Sequence, residues 1–312
     1  MDRINLLKAV EKSLYTLISY SAQTVTKNTT AELKRMLENE KDNEIARAQL
    51  ELMLQNIDYG KNKEIPVCQD TGLVNIFIQL GENFPIISDF KDSIKKVLSK
   101  LTKEAKLRAN TVDPIKFHNP GDNSGKNTPP IYLEIIPNRD DLVFIILNKG
   151  GGSENISTLF MLNPASGFDD FIPKILDTIK KAGGKPCPPI IVGIGLGGDS
   201  VKSMYLAKKA ILRPVGSRNP RKDVSDLEDE ILKKINELDI GIMGLGGHSN
   251  CIDVHIEWAM RHPASYPVGL IVECYSHRTI SGHISKDGMF SMGYLDKDYN
   301  FVENDEELRV KS

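Results

Sequence analysis

The chain has no long apolar run, no excess of either charge and no closely spaced pair of cysteines. No stretch approaches the ~20 apolar residues of a membrane-spanning helix, and the N-terminus lacks the apolar core of a signal peptide. The 40 Lys and Arg residues nearly balance the 42 Asp and Glu residues, which argues against nucleic acid or a membrane surface as a partner. We therefore expect a soluble cytoplasmic protein whose partners are small molecules or proteins.

The four cysteines, Cys68, Cys187, Cys251 and Cys274, are far apart in the sequence. Without Cys-x-x-Cys or paired histidine spacings, a structural zinc site is a poor interpretation. Scattered thiols in a reducing compartment are more often ligands, nucleophiles or buried side chains than disulfides. Cys251 opens an alternating strand and is predicted to be buried, whereas the other three lie in polar or Pro- and Gly-rich loops beside predicted strands. Spacing alone leaves open whether these three are ligands or unrelated core residues.

Helical periodicity dominates the first 60 residues. Apolar residues recur every three or four positions over Asp2–Ser21, and a second helical pattern follows, with Thr30 as its cap and an interruption at 38–43. Later segments alternate like strands, so the predicted fold is mixed α/β (α+β), with a β-sheet core that bears the cysteine loops and an N-terminal helical lobe.

This pattern divides the chain into three parts, which could still form a single domain. Residues 1–60 are the helical lobe, 61–290 are the α/β region with the predicted site, and 291–312 are an acidic, peripheral tail.

Strands are predicted on both sides of several polar turns. Gly72 is expected to allow a tight turn into a strand at Val74–Ile78. Ile131–Ile136 and Leu142–Leu147 flank a polar turn and are predicted to pair as a hairpin. Phe168–Ala182 is predicted to be helical.

Two glycine-rich segments have more than one interpretation. Gly150–Gly152 is either a flexible turn or a place where main-chain N–H groups approach a ligand or another backbone. Gly193–Gly198 formally fits a dinucleotide-binding pattern, but no second strand with an acidic residue follows. We interpret that segment as the N-terminus of a helix whose N–H groups face an anion.

Several motifs, in order along the chain, resemble the α subunit of the iron-sulfur hydro-lyases. This family comprises the class I fumarate hydratases and the L(+)-tartrate dehydratases, and the resemblance covers residues 30–290. The motifs are Cys-Gln-Asp-Thr-Gly at 68–72, Lys-Gly-Gly-Gly-Ser at 149–153, Cys-Pro-Pro at 187–189, Lys-Lys-Ala-Ile-Leu-Arg-Pro-Val-Gly-Ser-Arg at 208–218, and His-Pro-Ala-Ser-Tyr-Pro-Val with Cys-Tyr-Ser-His-Arg within 262–278.

The resemblance implies a [4Fe-4S] cluster held by Cys68, Cys187 and Cys274, with one iron that no cysteine ligates. Clusters used for electron transfer usually have four thiolate ligands, so an open iron is suited to binding substrate. As a Lewis acid it would polarise the hydroxyl and a carboxylate of a 2-hydroxydicarboxylate.

The family positions also imply roles in acid–base chemistry. Asp70 and His262 are the predicted acid–base pair, and Gln69 is expected to orient the hydroxyl group or water. The alternative for His262 is a loop histidine that satisfies a backbone carbonyl.

Two further groups are predicted to bind the substrate carboxylates, together with Gln69. Arg108 is the side-chain clamp, and Gly150 and Gly151 offer main-chain N–H groups. The alternative for Arg108 is a cation that stabilises a helix end. Lys149, His277 and Arg278 are expected to support the site.

Single-chain relatives carry a further catalytic domain that this sequence does not resemble. We therefore expect an obligate β subunit, an α2β2 assembly, and no activity of the isolated chain. Fumarate and L-malate are the preferred substrates because Ser153–Asn155 resembles the fumarate hydratases, and tartrate is the close alternative. A cluster-bearing sensor without turnover and a nucleotide-binding protein are the other hypotheses.

Overall fold

A computed structural model describes residues 3–85, 90–166 and 170–304 of the chain. The helices are α1 (Arg3–Gln23), α2 (Lys27–Asn39), α3 (Glu44–Lys63), α4 (Phe90–Lys103), α5 (Gly151–Glu154), α6 (Phe171–Ala182), α7 (Ser200–Ala210) and α8 (Lys222–Asn236). The strands are β1 (Leu73–Gly81), β2 (Ile131–Ile136), β3 (Asp141–Lys149), β4 (Thr158–Leu162), β5 (Ile190–Gly197), β6 (Cys251–Ala259), β7 (Tyr266–Glu273), β8 (Thr279–Ser285), β9 (Phe290–Leu295) and β10 (Phe301–Glu303). The predicted α+β class is confirmed.

The chain forms two compact units, each assembled from separate segments. The first unit comprises Met1–Thr26, Ile57–Lys149 and Arg278–Ser312, and the second comprises Lys27–Asn56 and Gly150–His277. The predicted division at residues 60 and 290 stays a prediction. Residues 291–303 of the predicted tail contribute all of β9 except its first residue, and all of β10, while residues 305–312 lie outside the described residues.

The first unit is built on a six-stranded sheet in the order β10-β9-β8-β3-β1-β2. Helix α1 packs on β3 and β8, and α4 packs against α1. The apolar residues of α1 that recur at helical spacing, such as Leu14 and Leu17, are fully buried with Phe144 and Ile146 of β3. Burial of this stripe is what holds α1 to the sheet.

The predicted hairpin of β2 and β3 is wrong, because β1 lies between the two strands. Ile76 of β1 is opposite Ile131 of β2 in a parallel pair and opposite Ile146 of β3 in an antiparallel pair. This order places the apolar strand β1 inside the sheet. It leaves β2 at the edge, where Leu133 and Ile135 are exposed.

The second unit is built on a four-stranded sheet in the order β4-β7-β5-β6. Helix α7 packs on β5 and β7, α8 packs on β6, and α6 contacts α8. The apolar faces of α6 and α8 share one buried cluster with the strands.

The glycines at 193–197 belong to β5. A helix does follow the glycine run, beginning at Ser200, but the interpretation of the run itself as the N-terminus of that helix is wrong. A Cβ on Gly193 would lie 2.2 Å from the Ala207 carbonyl oxygen, and one on Gly195 would lie 1.9 Å from that of Ser203. These glycines therefore let α7 approach the sheet closely. The N-terminus of α7 is capped by Asp199, which accepts from the Lys202 amide, so neither the anion site nor the dinucleotide interpretation is supported.

The N-terminal region is helical as predicted, but the second predicted helix is two helices, α2 and α3. The helical pattern breaks at residues 40–43, as predicted, but α2 begins at Lys27 and not after Thr30. The proposed helix residues Asp2 and Phe168 lie outside the described residues. None of the helices in the described ranges is long and apolar enough to cross a membrane.

Candidate active site

The loop of residues 68–72 lies in the first unit, between α3 and β1. Its backbone is fixed at the start by a 3.0 Å hydrogen bond from the Val67 amide to the Ala22 carbonyl. At its end Gly72 has a φ of 78°, and a Cβ there would lie 2.8 Å from the backbone of Lys149. The predicted role of Gly72 in a tight turn is thus confirmed. Cys68 is half-buried and Gln69 is exposed, with Cys68 Sγ 3.8 Å from Gln69 Oε1.

Asp70 is held within this loop through both its side chain and its backbone. Its Oδ1 accepts from the Gly72 amide at 2.9 Å and from Asn110 Nδ2 at 3.1 Å. Its carbonyl oxygen accepts from Arg278 Nη1 at 2.7 Å, and Arg278 is almost fully buried. The carboxylate therefore has a defined orientation and is still half-exposed.

Arg108 lies in the loop after α4 and is exposed. Its backbone amide donates to Thr71 Oγ1 at 3.0 Å, which joins its loop to residues 68–72. Because α4 ends five positions earlier at Lys103, Arg108 is not the helix-end cation of the alternative interpretation. Its guanidinium can serve an anionic ligand beside the Asp70 loop.

Cys187 lies in the second unit, on a rigid turn before β5. Its φ is 55°, a backbone angle that residues other than glycine rarely adopt, and its amide donates to the Gly184 carbonyl at 3.0 Å. The carbonyl of the following Pro188 accepts from the Met243 amide at 2.8 Å. The half-buried thiol is therefore held by a backbone that is fixed on both sides.

Cys274 directly follows β7 in the same unit, and its backbone lies beside that of Cys187. The amide of Tyr275 donates to the Cys187 carbonyl at 3.4 Å. The Cys274 thiol contacts Ser276 Oγ at 3.1 Å and donates to Glu273 Oε1 at 3.4 Å. The second unit thus brings two of the three predicted cysteine ligands together.

The triple glycine adjoins this pair. Gly150 is the N-cap of the short helix α5, and a Cβ on Gly152 would lie 2.9 Å from the carbonyl oxygen of Lys185, two residues before Cys187. At the other end of α5, Lys208 Nζ forms a 2.9 Å ion pair with Glu154 Oε1. Of the two interpretations offered for these glycines, a close approach of another backbone is the correct one, and a flexible turn is wrong.

His262 lies apart from Cys274. It precedes the first residue of β7, whereas Cys274 follows the last, and this strand of eight residues spans about 27 Å. His262 is exposed, and its Nδ1 accepts from the Ala264 amide at 3.1 Å, a backbone N–H group and not the carbonyl that the alternative assumed.

Cys251 differs from the other cysteines, as predicted. It is buried at the start of β6, and this burial, with the nearby Asp253 carboxylate, raises the pKa of the thiol well above its usual value. His277 is also buried, and its Nε2 lies 2.7 Å from the Ile211 carbonyl oxygen, so it joins the end of α7 to the Cys274 loop.

The chemistry of the donor set suits an iron-sulfur cluster. All four cysteines lie in described ranges, none is in a disulfide, and Cys68, Cys187 and Cys274 are each half-buried beside a strand. Across residues 3–85, 90–166 and 170–304, no three His, Cys, Asp or Glu side chains are grouped so that they could hold a metal ion. The meeting of Cys68 with the other two thiols stays a prediction.

Three polar residues beside the predicted site were missed from the sequence. Asn110 contacts Asp70, while Glu273 and Ser276 contact the Cys274 thiol. Position alone hints at them, since Asn110 follows Arg108 by two residues and the others flank Cys274. Nothing in the sequence indicates the direction of their side chains.

The chain has clear similarity to known proteins. Residues 11–283 match the family described as fumarate hydratase (Fumerase). The putative L(+)-tartrate dehydratase subunit alpha of Methanocaldococcus jannaschii is 41% identical over 251 residues, which cover 78% of this chain and 87% of that protein. The L(+)-tartrate dehydratase subunit alpha of Escherichia coli K12 is 33% identical over 226 residues, which cover 72% and 75%.

Proposed function

The chain belongs to the class I fumarate hydratase family as an α subunit and hydro-lyase, and from this premise we propose that it interconverts fumarate and L-malate. The observation that carries the proposal is the hydrogen bond between Tyr275 and Cys187, because it keeps two cysteines of the family motifs side by side in one unit. The adjoining triple glycine, at the position of a third motif, supports the same site.

Cys68, Cys187 and Cys274 would hold a [4Fe-4S] cluster with one iron that is not ligated by cysteine. When bound, the cluster supplies a Lewis acid for the hydroxyl and a carboxylate of the substrate. The rigid turn at Cys187 and the strand end before Cys274 would fix two of the thiolates. Cys251 takes no part, since its thiol is buried and its pKa is raised.

Asp70 would transfer the proton at C3 of the substrate, and Gln69 would orient the hydroxyl group or water. The half-exposed Asp70 carboxylate is near Cys68 in the same loop and has a fixed orientation, which suits a general acid or base. The acid–base role of His262 stays a prediction. The length of β7 argues against its contact with a cluster on Cys274 of the same chain.

Arg108, Gly150 and Gly151 would bind the two carboxylates of the substrate. The exposed guanidinium of Arg108 can form a bidentate pair with a carboxylate. Gly150 and Gly151 lie at the start of α5, where their main-chain N–H groups would be the donors.

A β subunit would complete the enzyme, in an α2β2 assembly. The relatives support this part of the proposal because they are named as subunits alpha. A cytoplasmic location fits the cofactor, since reducing conditions keep the cysteine ligands available.

L(+)-Tartrate is the second candidate substrate, because both relatives described above are named for it. The decisive experiment is an anaerobic assay of the αβ complex with fumarate, L-malate and L(+)-tartrate. We expect turnover of fumarate and L-malate. Turnover of tartrate with none of malate would reject fumarate as the substrate, and turnover of none of the three would reject the hydro-lyase.

A further inference from the structure

We infer that Asn110 is a positioning residue that fixes the carboxylate of Asp70, an inference that rests on the proposed catalytic role of Asp70. Asn110 Nδ2 lies 3.1 Å from Asp70 Oδ1, 3.3 Å from Thr71 Oγ1 and 3.2 Å from the Gly72 carbonyl oxygen. One amide group thus faces three consecutive residues of the loop. Sequence motifs alone do not assign it a role.

Asn110 is itself held rigidly by a second asparagine. Its backbone amide donates to Oδ1 of Asn123 at 2.8 Å, and Asn123 is buried. Asn123 Nδ2 donates to Thr102 Oγ1 at 2.9 Å and to the Arg108 carbonyl at 2.8 Å. The loop that presents the Asn110 side chain is therefore tied to the end of α4, and so its amide is preorganised.

The backbone of the Asp70 loop is fixed by other residues. Arg278 donates to the Asp70 carbonyl, and Gly72 packs against the backbone of Lys149. The remaining freedom is rotation of the carboxylate, a torsion with a broad energy minimum. The Gly72 amide and the Asn110 side chain both donate to Oδ1. Loss of Asn110 should therefore disturb the carboxylate more than the loop.

Arg108 should be affected little by changes at Asn110. Its amide donates to Thr71 Oγ1 and its carbonyl accepts from Asn123. Asn110 Nδ2 also contacts that Oγ1, at 3.3 Å, but both bonds of Arg108 are kept when this contact is removed. Because Arg108 is the proposed carboxylate clamp, substrate binding should persist when Asn110 is shortened. The predicted defect is consequently in kcat and much less in KM.

The test is a double-mutant cycle in the anaerobic αβ complex, with fumarate and L-malate as probes. We expect Asn110→Ala to lower kcat by about ten- to a hundredfold, the range that misplacement of a catalytic group produces. KM should change by less than about threefold. In an Asp70→Asn background, Asn110→Ala should cause no further loss, because the two residues act through one carboxylate.

Two further variants sharpen the test. Asn119→Ala is the matched control, since Asn119 lies in the same loop but donates to the Ala109 carbonyl, and it should keep wild-type kcat. Asn110→Asp preserves shape, removes both N–H donors and places a second carboxylate against Oδ1, so its loss should exceed that of Asn110→Ala.

Three kinetic outcomes would overturn the inference: additive losses in the double variant, equal activity of Asn110→Ala and Asn119→Ala, or wild-type activity of Asn110→Asp. It would also be overturned if Asn110→Ala lost enough iron or enough folded protein to account for its lower kcat. An inactive wild-type complex would reject the proposed function. If the wild-type complex is active and the Asn110 variants have the same kcat, only the role of Asn110 is rejected.

Discussion

Asp253 illustrates how a single buried carboxylate is kept charged in the second unit. Its Oδ2 accepts from the Gly216 amide at 2.6 Å and lies 3.0 Å from His255 Nε2, while Arg218 Nη1 donates to Oδ1 at 2.8 Å. Burial opposes ionisation, but the bonds and charges of these groups outweigh it and hold the pKa of Asp253 below its usual value. The carboxylate therefore ties β6 to the segment after α7.

This lowered pKa predicts a pH-dependent stability. Asp253 should contribute stability that is complete above its unfolded-state pKa, near ~4, and is lost as the pH falls through the folded-state pKa. Asp253→Asn should cost about 3 kcal/mol at pH 7, because it leaves buried partners unsatisfied. Urea unfolding at pH 7 and at about pH 3, below the unfolded-state pKa, should show a flatter pH dependence in the variant.

Asp92→Asn is the control for that measurement, because Asp92 is exposed and pairs with the exposed Lys95 at 3.9 Å. Its free energy of unfolding should match the wild type at both pH values. Equal pH dependence of Asp253→Asn and wild type would show that Asp253 is not the responsible group.

The proposed role of Asp70 predicts a specific loss of turnover. Asp70→Asn keeps the size of the side chain but cannot accept the substrate proton, so kcat of the αβ complex should fall by about a hundredfold or more. The iron content should be unchanged, since the cysteines are intact. Wild-type kcat of this variant would reject Asp70 as the group that transfers the proton.

At the scale of elements, β5 and α7 owe their close packing to glycine. Gly195→Ala would place a Cβ 1.9 Å from the Ser203 carbonyl oxygen, so α7 must move away from the sheet. We expect a loss of about 3 kcal/mol in the free energy of unfolding, measured with urea. Gly125→Ala is the matched change, because the nearest atom to its Cβ is 3.8 Å away, and it should stay within about 0.5 kcal/mol of wild type. Equal stability of the two variants would contradict this account.

Elements with strong apolar periodicity could be predicted from the sequence, and those set by tertiary packing could not. The apolar residues at helical spacing in α1 identify a helix, and the alternating apolar and polar residues of β6 identify a strand. The glycine run of β5 has little intrinsic strand propensity and is a strand because α7 covers it. The polar turn at 137–140 resembles a hairpin turn, and only the sheet itself shows that β1 separates its flanking strands. Candidate ligands could be named from motifs, whereas Asn110 required geometry.

At the scale of the whole molecule, two sheets built from interleaved chain segments carry the motifs. Cys68, Asp70 and Arg108 belong to the first unit, while Cys187 and Cys274 belong to the second. Each unit combines segments that are distant in the sequence, and composition and periodicity along the chain carry no signal for such an assembly. The central claim is that three thiols, at 68, 187 and 274, hold one cluster.

The most direct test of that claim is iron and sulfide analysis of the αβ complex after anaerobic reconstitution. The wild type and Cys251→Ala should each bind about four irons and four sulfides per α subunit. Cys68→Ala, Cys187→Ala and Cys274→Ala should each lose the cluster. Full iron and sulfide content in any one of these three variants, or none in the wild type, would contradict the account.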